Sequence, residues 1–238
     1  MIRAYSWPTP NGHKVHIMLH ECELAHEVIP VDITSGDQFA PEFLAISPNN
    51  RIPAIVDTDG PNGEEISIFE TGAILYYLAR KTGQFLPDEE SDPAGHYATM
   101  EWLMWQMGGV GPMMGQSSHF RRYAPEKIPY AIGRYEREVE RLFRVSDTRL
   151  GQNRYLAGDD YTIADIATYP WMRFWKGYGL DIDEYPNTRR WLQDVRARPA
   201  VEAGEATLID YRKSEMPKGK AWDTLFGEEQ FRPHRSGN

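Results

Sequence analysis

The chain has a single cysteine, Cys22, among its 238 residues. An intrachain disulfide is therefore excluded, and so is a zinc site built on a cluster of cysteines. Cys22 falls on the apolar face of a predicted helix, where we expect a buried structural thiol rather than a reactive one. If the protein carries out thiol chemistry, most of the sulfur must come from a ligand.

Positive charge is also scarce, since 26 Lys and Arg stand against 35 Asp and Glu, for a formal net charge of -9. An acidic chain repels phosphate backbones and anionic lipids, so we expect neither a nucleic-acid nor a membrane partner. No apolar run approaches the roughly 20 residues that a spanning helix requires. The first residues lack the apolar segment of a signal peptide, which indicates a cytoplasmic protein.

The pattern of apolar and turn-forming residues changes near residue 87. Before it, the order β-α-β-α-β-β-α predicts a small four-stranded mixed sheet with helices on its faces. Pro30 cannot donate to a ladder, so its strand is placed at an edge of the sheet. After it, the periodicity is helical. The predicted division is 1–87 sheet domain, 88–93 linker, 94–204 all-α domain and 205–238 polar tail.

The stretch NNRIPAIVD places a proline directly before a predicted strand. If the Ile52–Pro53 bond is cis, the chain turns sharply and the backbone groups of Ile52 can pair with an extended peptide. A plain trans proline in a loop is the alternative.

The stretch FETGAIL begins a predicted helix with Glu70 and Thr71. Free N–H groups at a helix start attract a carboxylate, and the Glu70 carboxylate attracts an ammonium. Together they suit the α-amino acid end of a ligand. A simple helix cap by Thr71 is the alternative.

The stretch PTPNGHK places Thr9 and Asn11 where a strand runs into a helix. A ligand thiol there would meet hydroxyl and amide donors and a helix dipole, each of which favours thiolate over thiol. The alternative is an ordinary turn, of which Asn-Gly is the usual signature. Tyr5 is another candidate for activating a thiol, but it lies within the predicted strand.

These motifs, in this order with YTIADIATYPW further along, resemble the glutathione transferases over residues 1 to about 203. More narrowly, the chain resembles the bacterial nu class of glutathione-dependent disulfide-bond reductases and the transferase-like region of the yeast nitrogen regulator. The resemblance implies a thioredoxin-like first domain, an all-helical second domain of the transferase type, and a homodimer.

The resemblance also implies roles for single residues around the sulfur of glutathione. Thr9 and Asn11 would hydrogen-bond the sulfur. Ile52 would pair through its backbone with the cysteinyl residue, beside a cis Pro53. No protein cysteine is needed in such a site.

The remaining implied contacts hold the two ends of glutathione. Glu70 and Thr71 would hold the γ-glutamyl end, where the family pattern usually has Glu-Ser. Gln38 and Arg51 would lie near the glycine carboxylate. Arg134 would reach the ligand from the helical domain.

The leading functional expectation is a disulfide-bond reductase in which bound glutathione thiolate attacks a disulfide sulfur. The alternatives are a transferase that joins glutathione to an electrophile, and a non-catalytic glutathione-binding regulator. The isomerases of maleylacetoacetate are disfavoured because their serine-rich motif is absent. The expected ligands are glutathione or its disulfide and a small disulfide or electrophile.

Two further patterns are assigned to structure rather than to chemistry. His13, His16 and His20 recur at a spacing that could hold a metal, but no acidic or cysteine cluster converges with them. We therefore expect a solvated helix face and no metal. Thr162 and Asp165 are predicted to form a capping box at a helix start.

Overall fold

The computed structural model describes residues 1–212 and 216–231. The first part of the chain forms one sheet of four strands in the order β2-β1-β3-β4. The strands are β1 Ile2–Ser6, β2 His26–Pro30, β3 Ala54–Asp57 and β4 Ile66–Phe69. β1 runs parallel to β2 and antiparallel to β3, and β4 runs antiparallel to β3. The predicted mixed sheet, with Pro30 on an edge strand, is confirmed.

Three helices accompany the sheet: α1 Pro10–Glu21, α2 Pro41–Ile46 and α3 Thr71–Thr82. α1 and α2 begin with a proline, which lacks the N–H that a first helical residue leaves unpaired. α3 ends at Gly83, whose φ of 68° is the left-handed conformation that stops a helix without steric cost.

The second part of the chain is helical, as predicted. Its helices are α4 Pro93–Trp105, α5 Gly111–Ser118, α6 Pro129–Leu150, α7 Ile163–Met172, α8 Pro186–Arg196, α9 Pro199–Ala206 and α10 Lys220–Phe226. Wider π-helical turns follow α4 at 106–110 and α5 at 119–123. The predicted fold class, a thioredoxin-like α/β domain followed by an all-α domain, is confirmed. The exact domain boundaries remain predictions.

A single apolar core joins the two parts of the chain, with buried side chains from β1, α1 and α3 in contact with those from α4 to α8. The capping box of α7 is confirmed: the Thr162 N–H donates to the Asp165 carboxylate over 3.0 Å, and the Ala164 N–H donates to the Thr162 hydroxyl. The indole N–H of Trp191 also donates to Asp165, over 2.8 Å. This motif therefore fixes the packing of α8 on α7.

The expected solvated histidine face of α1 is wrong. His13 and His16 are buried and His20 is partly buried. α9 covers this side of α1 so closely that a Cβ on Gly204 would lie 2.7 Å from the backbone nitrogen of Ile17. α1 is thus enclosed between the sheet domain and the helical domain, where a polar face cannot reach water.

The predicted tail contains short ordered pieces in its described part. In α10, the Trp222 indole N–H donates to the Tyr123 carbonyl over 2.8 Å. The ring of Phe226 stacks on that of Tyr123, with the two ring centroids 5.0 Å apart. The rings of Tyr211 and Trp7 pack edge to face with their centroids 5.4 Å apart, next to the start of α1. The tail prediction for 213–215 and 232–238 lies outside the described residues. Among the described helices, none is long and apolar enough to cross a membrane.

Candidate active site

A cleft of about 150 Å³ lies where α1 and α3 begin and where the chain enters β3. It is lined by Asn11, Asn49, Arg51, Ile52, Pro53, Phe69, Glu70 and Thr71. The structure therefore brings most of the predicted site residues to one place, although they come from separate segments of the sheet domain.

A larger and more open groove of about 410 Å³ lies along α6 beside Trp102. Its arginines already have partners: Arg141 pairs with Glu138, Arg144 pairs with Glu140, and Arg149 donates to two backbone carbonyls. The smaller cleft is the better candidate, because its polar groups converge at two helix starts.

Thr9 caps the start of α1, and its Oγ1 accepts the Gly12 N–H over 3.2 Å. α1 begins very close to the end of β1, since a Cβ on Gly12 would lie 2.1 Å from the Trp7 carbonyl oxygen. Only glycine fits there. A hydroxyl that accepts one hydrogen bond keeps its own hydrogen, so Thr9 can still donate to a ligand at the helix start.

Asn11 lies one residue inside the helix and lines the cleft. Its Oδ1 accepts a hydrogen bond of 2.9 Å from the indole N–H of Trp171, which belongs to α7 of the helical domain. The amide group of the site is thus held from both domains.

The Ile52–Pro53 peptide bond is cis, as the resemblance implies. The side chain of Ile52 packs on the small apolar cluster of Val31, Phe43 and Ala54, and both Ile52 and Pro53 form part of the cleft wall.

Glu70, and not Thr71, is the N-cap of α3, with φ 71° and ψ 119°. The alternative of a simple cap by Thr71 is therefore wrong. The Thr71 hydroxyl accepts from the Lys14 ammonium over 3.2 Å and donates to the Met107 sulfur over 3.4 Å. Because its hydrogen is already engaged, Thr71 offers a ligand its place in the first turn of α3, where backbone N–H groups are free.

Lys14 is the charged residue behind this wall, and it is only 2% exposed. Burial lowers the pKa of its ammonium to about 7, while the negative charge of Glu70 acts in the opposite direction. The sequence carries a signal that could have identified it, since Lys14 stands four residues before Met18 on the apolar side of α1.

The other implied ligand contacts are placed differently. Arg51 lines the cleft and donates to the Asn50 carbonyl and side-chain oxygen. Gln38 is buried, donates to the Ile33 carbonyl over 3.2 Å, and is not part of the cleft wall. Arg134 lies on α6, away from the residues that line the cleft, with its side chain 56% exposed and 3.8 Å from Glu138.

Cys22 follows the last turn of α1, at the opposite end from Thr9, and is buried as expected. Burial raises the pKa of its thiol, which disfavours the reactive thiolate. Within the described part of the chain, no group of three or more His, Cys, Asp or Glu side chains could hold a metal ion.

The sequence analysis did not identify three further residues that line the cleft or contact its lining residues. Asn49 reaches the Glu70 carboxylate over 3.4 Å, and Phe69 forms part of the wall. Asn49 stands in the same turn-forming run as Arg51, which is a usable local signal. Trp171 has none, because it lies 160 residues from Asn11 along the chain.

Comparison with known proteins shows the family to which the chain is similar. Residues 1–80 match the model of the glutathione S-transferase N-terminal domain, and residues 124–199 match that of the C-terminal domain. The chain is 51% identical over 209 residues to disulfide-bond oxidoreductase YfcG of Escherichia coli, covering 87% of this chain and 95% of that protein. It is 40% identical over 216 residues to YghU of the same organism, a disulfide-bond oxidoreductase, covering 85% and 73% of the two chains.

A solved structure of a glutathione transferase from Pseudomonas putida, with one glutathione disulfide bound per subunit, superposes with a TM-score of 0.81. The two are 43% identical, and the match covers 86% of this chain and 90% of the other. Because these matches cover both domains at 40% identity or more, the chain belongs to the glutathione S-transferase family, to its nu type.

Proposed function

We propose that this protein is a glutathione-dependent disulfide-bond reductase that uses the sulfur of its ligand. The observation that carries the proposal is the separation of Asn11 from Cys22. Asn11 lines the cleft, whereas Cys22 is buried eleven residues later, roughly 16 Å along a helix with a rise of 1.5 Å per residue. A protein thiol therefore lies too far away to react in the cleft.

The cleft offers complementary groups for glutathione. Asn11 in the cleft wall, and Thr9 two residues before it at the cap of α1, supply donors to the sulfur. The first turn of α3 supplies N–H groups for the α-carboxylate, and Glu70 supplies a negative charge for the α-ammonium. Relatives in the family support this assignment, because they are disulfide-bond oxidoreductases or hold glutathione disulfide.

The reaction needs two glutathione molecules and no protein nucleophile. The thiolate of the first attacks one sulfur of the substrate disulfide, which forms a mixed disulfide and releases one thiol. The thiolate of the second attacks the glutathione sulfur of the mixed disulfide, which gives glutathione disulfide and the second thiol. Thr9 and Asn11 would favour the attacking thiolate by donating hydrogen bonds to it.

The test is the reduction of hydroxyethyl disulfide by glutathione, with Asn11→Ala, Thr9→Ala and the double variant compared with Cys22→Ala. We expect a large loss of turnover in the double variant and near-normal turnover in Cys22→Ala, each with an unchanged circular dichroism spectrum. Full activity of the folded double variant, or loss of activity in folded Cys22→Ala, would overturn the proposal.

The same preparation separates the two alternatives. Turnover of a chlorodinitrobenzene far above that of the disulfide would favour a conjugating transferase. Glutathione binding without either turnover would favour a regulatory binding protein. The predicted homodimer rests on the family alone.

A further inference from the structure

Trp171 makes the contact that decides which way the Asn11 amide faces. The indole N–H is a donor only, so the atom of Asn11 that lies 2.9 Å from it must be the carbonyl oxygen. The side-chain nitrogen then points away from the indole. Because Asn11 lines the cleft, this nitrogen is the end of the amide that remains for a ligand.

We propose that Trp171 is a positioning residue that holds the Asn11 carboxamide with its N–H₂ group toward the bound thiol. The inference rests on the proposed function, in which Asn11 stabilises a glutathione thiolate. An amide turned the other way would present a carbonyl oxygen to the sulfur, and this oxygen would repel the thiolate. The orientation of a single side chain therefore decides whether the site favours or disfavours the reactive form.

The helical domain holds the indole ring in place. A Cβ on Gly111 would lie 3.6 Å from the ring nitrogen of Trp171, and one on Gly115 would lie 3.5 Å from its Cη2 atom. The two glycines are one turn apart on α5. Because they have no side chains, the ring packs closely against the surface of this helix. The Tyr178 hydroxyl donates to the Trp171 carbonyl over 3.2 Å. The donor that orients Asn11 is thus itself fixed by packing.

The role is tested with Trp171→Phe, which keeps an aromatic ring and removes the N–H. The matched control is Trp175→Phe, a partly buried tryptophan whose ring contacts Lys176 instead of the cleft. The measurements are the pH dependence of kcat/KM for disulfide reduction and the ultraviolet absorbance of the bound thiolate as a function of pH.

We expect Trp171→Phe to raise the apparent pKa of the bound thiol by about one, which means about tenfold less thiolate at neutral pH. Trp175→Phe should behave as the wild type. Asn11→Ala should show at least the same shift, and Trp171→Phe added to Asn11→Ala should change nothing further, because the two residues act through one group.

An unchanged pH profile in Trp171→Phe while Asn11→Ala is shifted would overturn the inference alone, as would independent, multiplying effects in the double variant. An unchanged profile in Asn11→Ala would overturn the role that the proposed function gives to Asn11, and the inference with it, whereas the proposed function itself stands or falls with the double variant of Thr9 and Asn11.

A measurement on the unmodified chain covers the case in which Trp171→Phe does not fold. The side-chain amide resonances of Asn11 should shift on binding glutathione and shift much less with S-methylglutathione, whose sulfur cannot ionise. The Trp171 indole N–H should be protected from exchange in both complexes. Equal shifts with the two ligands, or a freely exchanging indole N–H, would overturn the inference.

Discussion

The ammonium of Lys14 donates to the side-chain oxygen of Gln106, with 2.8 Å between Nζ and Oε1. Lys14 lies on α1 of the sheet domain, and Gln106 begins the π-helical turn after α4. The same ammonium donates to Thr71 at the start of α3. The buried side chain of Lys14 therefore links the wall of the cleft to the helical domain. Its protonation state affects the hydrogen bonds on both sides.

Replacing Lys14 by Met should remove a pH dependence of stability. The pKa of Lys14 is about 7 in the folded protein and 10.5 in the absence of burial. Between these values the unfolded chain binds the proton and the folded chain does not. The contribution of Lys14 to the free energy of unfolding therefore rises with pH, by about 1.4 kcal/mol per pH unit.

Urea unfolding at several pH values above 7 measures this slope. Lys14→Met should show a flatter profile than the wild type, while Lys127→Met, an exposed control that donates to the Arg121 carbonyl, should keep the wild-type slope. Identical slopes in Lys14→Met and the wild type would contradict the prediction.

Acid should destabilise the protein through the buried histidines of α1. Burial lowers the pKa of His13 to about 4, with help from the charge of Arg173, and burial lowers that of His16 to about 3. Both pKa values lie below the ordinary histidine pKa of 6.5. Below pH 6.5, the two imidazoles are therefore protonated in the unfolded chain while they remain neutral in the folded chain. Stability from these groups is complete above pH 6.5 and is lost as the pH falls toward 3.

The measurement is the free energy of unfolding between pH 7 and pH 4 for the wild type, His16→Leu and the control His26→Gln. Each buried histidine contributes a loss of about 1.4 kcal/mol per pH unit between pH 6.5 and its own pKa in the folded protein. His16→Leu should reduce the acid slope by that amount, and His26→Gln should leave most of it. A slope in His16→Leu as steep as in the wild type would show that other groups govern acid unfolding.

Local patterns predicted the sheet and the helix starts, because strand period, turn residues and caps act within a few residues. Pro30 marked the edge strand in this way, and Thr162 with Asp165 marked the start of α7. The histidine face failed because periodicity shows which residues share a side of α1, and not that α9, some 180 residues later, covers that side. The pair of Asn11 and Trp171 was missed for the same reason, since only the folded core brings them together.

The role of Glu70 can be tested with a change in the ligand as well as in the protein. Glu70→Gln keeps the size of the side chain and removes the charge, while N-acetylglutathione keeps the tripeptide and removes the ammonium. If the two charges meet in the cleft, either change alone should weaken binding about tenfold, since a charge-assisted contact contributes about 1.5 kcal/mol or more. Both changes together should then weaken binding little further.

Calorimetric titration of the wild type and Glu70→Gln with both ligands gives the four binding constants that this comparison requires. A matched variant, Glu65→Gln, alters an acidic residue that lies just before β4 and pairs with Arg3 of β1, away from the cleft wall. It should bind both ligands as the wild type does. Acetylation that weakens binding equally to the wild type and to Glu70→Gln would place the ammonium elsewhere. Acetylation that weakens only the wild type would locate the γ-glutamyl end at Glu70 and so fix the direction in which glutathione lies in the cleft.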